Sequence, residues 1–340
     1  MVQFPAMGIE ITYVPGEGLG PELLFHARRV IDALLPGTRW DEQEMGRTAF
    51  ERTGEAVPRT LVESIRRTRV AIKGPVESAM GVKYSSPNVQ LRKTLNLYAN
   101  VRPLKSLPHV REAFRGIDAV IIRENTEDIY AGIEHKVAQG VVLTIKLATR
   151  IACERISHFA FEYAKRYGRR SITCVHKANI MKKSDGLFLE TARRVAGESP
   201  FIGFSDFIVD NASLQMVQRP QKYDLILTTN LYGDLLSDLG AGLVGGPGTV
   251  ASASYGDGGM AVFELFHGAR PHRDGRDWAN PTGILRTVVM LLEHINEREK
   301  AQRLDAAIDS IVTGGRDVTG DMGGSATTTR MVDAVLAKAA

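Results

Sequence analysis

Short runs of continuously apolar residues alternate along the chain with longer stretches in which apolar side chains recur every third or fourth position. The first run, residues 9–14, leads into the turn Pro15-Gly16-Glu17-Gly18-Leu19-Gly20. Pro21 then stands at a helix start, and Leu23, Leu24, Ala27, Val30, Ile31, Leu34 and Leu35 repeat at helical spacing. Further runs at residues 70–72, 119–122, 172–175 and 223–227 are set apart by helical patterns such as residues 151–167, which stops at Gly168. Strands alternating with helices predict an α/β architecture.

A length of 340 residues is enough for two packed lobes, at roughly 100 to 200 residues per domain. Hydrophobic residues at 44% and charged residues at 24% are those of a folded globular protein, which excludes a disordered chain. The formal net charge is +4, but Lys and Arg are scattered among acids, so neither nucleic acid nor a membrane is an expected partner. Cys153 and Cys174 have no metal or redox spacing and read as core thiols of a reducing compartment. No leader pattern and no apolar run of about 20 residues is visible, so a cytoplasmic location is expected.

Five polar clusters break the pattern. Ser86-Pro87-Asn88-Val89-Gln90-Leu91-Arg92 runs on to Arg102. Guanidinium forks grip carboxylates bidentately, so arginines beside a hydroxyl and an amide describe a polycarboxylate site, although each arginine alone reads as solvated surface. Arg123-Glu124-Asn125-Thr126-Glu127-Asp128-Ile129-Tyr130 follows one apolar run and His176-Lys177 follows another, at strand ends where ligand sites of parallel sheets open. Tyr130 and Lys177 serve there as general acid and base if the site moves their pKa values toward neutrality; singly they read as a packed ring and a solvated amine.

Asp234 and Asp238 lie four apart on one helical face. Such carboxylates repel unless a cation lies between them, and hard oxygen ligands suit Mg²⁺ or Mn²⁺; the plainer reading is acids favoured by a helix N-terminus. The fifth cluster, His267-Gly268-Ala269-Arg270-Pro271-His272-Arg273 with Asn280-Pro281, is a Gly- and Pro-rich loop of a length that is often functional. The glycine turn at residues 16–20 is only a weak nucleotide signal, because its spacing is not G-x-G-x-x-G.

Together these clusters resemble, in content and order, the β-decarboxylating dehydrogenases: the isocitrate, homoisocitrate, isopropylmalate and tartrate dehydrogenases. The likeness extends from PGEGLGPE to TGDMGG, and SPNVQLRKTLNLYANVRP with RENTEDIYAGIEH look like the NAD-type isocitrate enzymes. The resemblance implies a two-domain, three-layer αβα subunit of the isocitrate/isopropylmalate dehydrogenase kind, not a true Rossmann fold. Residues 1–97 and 253–340 would form the large cofactor-side domain and residues 98–252 the small one. It also implies that Arg92, Arg102 and Arg123 hold substrate carboxylates, and that Ser86 and Asn88 contact the third carboxylate that distinguishes isocitrate from alkylmalates. Asp210, Asp234 and Asp238 would be metal ligands, with Asp210 and Lys177 supplied across a homodimer with shared active sites. Tyr130 would protonate the enol.

By the same likeness, His267, Gly268, Asn280 and Asp321 border the cofactor. The chain departs from the family pattern after Pro271, where NAD enzymes carry an Asp and this one has His272 and Arg273. Those two would suit the extra phosphate of NADP, at about 1.5–3 kcal/mol for a charge-assisted hydrogen bond. The glycine pair after Asp321 is of the NAD type, so NAD is expected, with NADP the alternative. Arg270 replaces a usual small residue and has no account at this level. Homoisocitrate, isopropylmalate, a phosphonomethylmalate or another malate analogue remain alternative substrates, and a non-catalytic regulatory subunit a distant alternative role.

Overall fold

The computed structural model describes residues 8–77, 85–270 and 275–339. Along the chain run β1 (Glu10–Val14), α1 (Gly20–Leu34), β2 (Arg39–Glu42), α2 (Arg47–Thr53), α3 (Arg59–Thr68), β3 (Val70–Lys73) and α4 (Pro87–Thr94). Then come β4 (Ala99–Lys105), β5 (Asp118–Glu124), β6 (Asp128–Ala138), β7 (Val141–Leu147), α5 (Arg150–Arg166), β8 (Ser171–His176) and α6 (Ser184–Gly197). β9 (Gly203–Ile208), α7 (Val209–Gln218), β10 (Leu225–Thr228) and α8 (Asn230–Val244) follow. The chain closes with β11 (Ala251–Tyr255), β12 (Ala261–Leu265), α9 (Thr282–His294), α10 (Arg298–Gly314) and α11 (Thr328–Ala339).

The apolar runs became strands and the periodic stretches helices. In α1 the buried side chains include Leu23, Leu24, Ala27, Val30, Ile31 and Leu34, the face that the spacing marks. Thr149 begins α5 by accepting the Ala152 N–H at 3.2 Å, and Gly168, with φ +65, follows its end.

The chain divides into two compact units. One comprises the described residues of Met1–Asn96, Leu107–His109 and Gly245–Ala340, and the other Leu97–Ser106 and Val110–Val244. The second crossing thus falls just after α8. A boundary at 252/253 would cut β11, which pairs antiparallel with β12 from Ala251↔Leu265 to Tyr255↔Ala261 and belongs beside it.

In unit one the strand order is β2-β1-β3-β12-β11, parallel except for β11. In unit two it is β4-β5-β10-β8-β9, parallel except for β4. Every residue of β3, β10 and β12 is buried, so both faces of these strands are covered, as parallel sheets require. β6 and β7 pair separately as a two-stranded ribbon.

The glycines of the first turn serve backbone packing. A Cβ on Gly16, at φ +78, would stand 2.5 Å from the Pro75 carbonyl oxygen, and one on Gly74 would stand 2.0 Å from that of Pro15. That close crossing of two backbones accounts for the G-x-G-x-G spacing without any phosphate. Cys153 and Cys174 are buried free thiols, and burial pushes Cys153 up to about 12. No helix among the described residues is long and apolar enough to cross a membrane.

Candidate active site

In unit two, parallel β5, β10 and β8 end on the same side, and the segments leaving them carry the polar clusters. Arg123, the next-to-last residue of β5, is 1% exposed. Its Nε donates to Asn230 Oδ1 at 2.8 Å, and its Nη1 pairs with Asp234 Oδ1. This contact depends on Gly233, where a Cβ would stand 2.5 Å from Arg123 Cγ, so only glycine lets the guanidinium lie against α8. Arg102 from β4 reaches the same Asp234 oxygen at 3.3 Å, and the Tyr130 hydroxyl donates to Asp234 Oδ2 at 2.5 Å. The Arg123 guanidinium also stacks 5.0 Å from the Tyr130 ring centroid.

Asp234 is therefore the hub of this cluster. One helical turn on, burial pushes the Asp238 carboxyl up, Arg102 opposes that, and the charge of Asp234 raises it further. Two mutually repelling carboxylates, one already drawing in two guanidinium groups, have the donor chemistry for a hard divalent cation. Tyr130 departs from the expected shift: burial first, and then Asp234, push its phenol up rather than toward neutrality. It is held protonated, as a proton donor.

The acids of the RENTED segment sort differently. Glu124 accepts from Thr126 N and Oγ1 and from Glu127 N, at 2.8, 2.5 and 3.0 Å, and burial raises its pKa. Glu127 accepts from Thr149 N and Oγ1, and Asp128 from Leu231 N, so all three build turns and helix starts.

Lys177, just past β8, forms an ion pair with Asp210 in the first turn of α7, and the lysine holds the Asp210 carboxyl below its ordinary range. Among the described residues no three His, Cys, Asp or Glu side chains converge to hold a metal. Within one chain, Asp210 thus does not join Asp234 and Asp238 in a three-carboxylate group.

In unit one, Asn88 and Arg92 lie four apart on α4, and Ser86 stands at its N-terminus. Among the described residues, Asn88 Oδ1 is buried with no hydrogen-bond partner. Arg92 is already bound: its Nη2 donates to Glu264 Oε1 at 3.0 Å, while Lys73 Nζ reaches Glu264 Oε2 at 2.9 Å. Sequence reasoning missed Lys73 and Glu264, and the one signal for them was a single charge in each of two otherwise apolar strands, VAIK and AVFEL.

A cleft of about 270 Å³ in the same unit is lined by Leu19, His267, Arg270, Trp278, Asn280 and Asp321, among others. Asn280 Nδ2 donates to Asp321 Oδ2 at 2.9 Å, and Thr319 holds the other carboxylate oxygen at 2.5 Å. His267 Nδ1 donates to the Gly268 carbonyl at 2.9 Å, and burial, the largest cause, lowers the ring's pKa and keeps it neutral. An apolar wall, an exposed ring edge and an oriented carboxylate fit the adenosine end of a dinucleotide. His272 and Arg273 lie outside the described residues. Leu19 and Trp278 were not foreseen at the cleft, because nothing local marks their neighbours in space.

A sequence profile described as isocitrate/isopropylmalate dehydrogenase matches residues 10–335. The chain belongs to that family. As a member of this family of decarboxylating dehydrogenases it is an oxidoreductase. The mitochondrial NAD isocitrate dehydrogenase catalytic subunit 5 of Arabidopsis thaliana is 42% identical over 327 residues, covering 96% of this chain and 87% of the relative. The chloroplastic 3-isopropylmalate dehydrogenase of Solanum tuberosum is 41% identical, covering 91% and 86%. The crystal structure of isocitrate dehydrogenase from Methylococcus capsulatus matches this dehydrogenase with a TM-score of 0.92 at 43% identity, over 97% of this chain and 99% of that one. The mixed α/β fold is thus the family's own.

Proposed function

We propose that this dehydrogenase oxidatively decarboxylates isocitrate to 2-oxoglutarate and carbon dioxide, with NAD as hydride acceptor and Mg²⁺ or Mn²⁺ as cation. The observation that carries the reaction type is the convergence of Arg102, Arg123 and Tyr130 on Asp234, beside Asp238. The choice of isocitrate rests on α4. Its N-terminus, with Ser86 and Asn88, offers polar groups and orphan backbone amides that suit a carboxylate substituent better than an isopropyl group. Preference for NAD rests on Asp321, an oriented carboxylate that accepts from ribose hydroxyls and repels a phosphate.

When bound, the cation on Asp234 and Asp238 supplies Lewis-acid stabilisation of negative charge and the nicotinamide supplies the hydride acceptor. The chain's own groups do the rest. Arg102 and Arg123 neutralise and orient substrate carboxylates. Lys177 takes the proton of the C2 hydroxyl, and Tyr130, kept protonated by its surroundings, delivers one to C3 after carbon dioxide leaves. With Tyr130, Lys177, Asp210, Asp234 and Asp238 all present, a regulatory role is not favoured.

The test is nicotinamide reduction with Mg²⁺ or Mn²⁺, offering isocitrate, homoisocitrate and isopropylmalate each with NAD and with NADP. Turnover of isocitrate with NAD is expected. Turnover of another malate alone would overturn the substrate and keep the chemistry.

We read the assembly as a homodimer in which Lys177 and Asp210 complete the neighbour's site. Val141, Val142, Leu143 and Ile145 of the β6–β7 ribbon, with Leu214 and Leu235, are exposed apolar side chains that a second copy would cover. Tyr130→Phe and Lys177→Met are each expected to lose activity by about 10²-fold or more. Mixed and reassembled, the two inactive variants should regain about a quarter of wild-type turnover, because half of the dimers then hold one intact site. Activity no greater than the sum of the two would exclude shared sites.

A further inference from the structure

Lys146 lies on β7, whose other residues are all exposed, yet its own side chain is only 14% exposed. Its Nζ stands 2.6 Å from Asp185 Oδ1, 3.6 Å from Asp128 Oδ1 and 4.5 Å from the Tyr232 ring centroid. Both carboxylates are buried, Asp185 completely. The second oxygen of each holds a backbone amide. Asp185 Oδ2 accepts the Lys177 N–H at 2.7 Å, and Asp128 Oδ2 accepts that of Leu231 at 2.9 Å.

These two amides sit at decisive places. Lys177 is the base assigned above. Leu231 is in the first turn of α8, three residues before Asp234. Asp128 itself precedes Tyr130 by two residues and holds a left-handed backbone at φ +70, a conformation that a non-glycine residue keeps only when its surroundings enforce it. Two buried carboxylates call for a counter-charge, and here one ammonium lies within reach of both.

We propose that Lys146 is a positioning residue: through Asp185 it orients the Lys177 backbone, and through Asp128 it fixes the start of the metal helix relative to the strand bearing Tyr130. The inference rests on the assignment of Lys177, Tyr130 and Asp234 as the reacting set. It makes the ribbon part of the active-site framework, because β7 supplies a side chain that reaches both carboxylates.

The experiment compares full-length wild type with Lys146→Met, Lys146→Arg and the charge-balanced Lys146→Met/Asp185→Asn. Hydrogen exchange reads the positioning without any substrate. In Lys146→Met the Lys177 and Leu231 amides should exchange at least about tenfold faster, with α5 amides changed by less than about twofold. In the isocitrate assay, kcat should fall about thirtyfold while substrate KM stays within about threefold, since reacting groups are displaced and carboxylate-binding arginines are not. Lys146→Arg should recover most of kcat. The double variant should recover the melting temperature without kcat.

Unchanged exchange at both amides overturns the proposal whether or not wild type turns over any malate. Recovery of kcat together with melting temperature in the double variant also overturns it, by reducing Lys146 to charge balance. Wild type inactive on every malate defeats the functional reading instead, and exchange alone then decides the positioning role. If Lys146→Met does not fold, the double variant carries the same comparisons.

Discussion

Asp234→Asn is expected to lower metal-dependent turnover by about 10³-fold or more, from the loss of several kcal/mol of charge stabilisation at about 1.4 kcal/mol per factor of ten. The substitution is nearly isosteric. Its amide can still meet Tyr130 and one guanidinium, so the arrangement survives while the charge is lost. That charge serves three purposes at once in this cluster: it pairs with Arg123, draws in Arg102, and opposes Asp238. Removing it frees Asp238 from its repulsive neighbour and takes away one of the carboxylates proposed to hold the cation. The variant should therefore bind Mg²⁺ more weakly as well as turn over slowly, and more Mg²⁺ should restore only part of the rate. Arg123, almost wholly buried, keeps its bond to Asn230, which limits the structural damage. Turnover, apparent Mg²⁺ affinity and melting temperature measured together check this. Full activity at low cation would remove Asp234 from the metal site.

The elements, and the local half of the candidate site, are legible in the sequence. Strand and helix positions followed from apolar period, and Asp234 and Asp238 from a four-residue spacing that only a helix turns into a pair. Tyr130 and Lys177 were legible because they follow apolar runs at strand ends. What stayed hidden depends on register or on pairing across long separations. Glu264 lies directly across from Lys73 because β12 and β3 run parallel in that register, and nothing in VAIK or AVFEL discloses the partner. Lys146 alternates with exposed residues on a ribbon and reads as one more solvated lysine, until Asp128 and Asp185, far along the chain in opposite directions, are seen to need a cation. The direction of the Tyr130 shift was misjudged for the same reason. Residue type predicts a proton donor, but only burial and the neighbouring Asp234 fix which way its pKa moves.

The second large effect is on stability. Lys73, Glu264 and Arg92 have side chains 4%, 6% and 14% exposed, and one carboxylate serves both cations. Burial raises the Glu264 carboxyl, but Lys73 and then Arg92 outweigh it and hold the group well below the ordinary carboxylate range. Glu264→Leu would leave two cations in low dielectric without their counter-charge, at about 3–5 kcal/mol of destabilisation. Glu264→Gln keeps the shape and part of the hydrogen bonding and should cost less. The pH dependence separates charge from shape. A carboxyl whose folded pKa is depressed stabilises the fold fully above its unfolded value, roughly 4.3, and loses that contribution as pH falls toward the folded value. The gap in unfolding free energy between wild type and Glu264→Gln should therefore be constant from about pH 8 to pH 6 and narrow below about pH 5. A gap that stays constant through the acid range would mean that packing, and not the ion pairs, makes Glu264 matter. The same charge orients Arg92, so Glu264→Gln should also raise the KM for a polycarboxylate more than it lowers kcat, tying the buried triad of unit one to substrate binding as well as to folding.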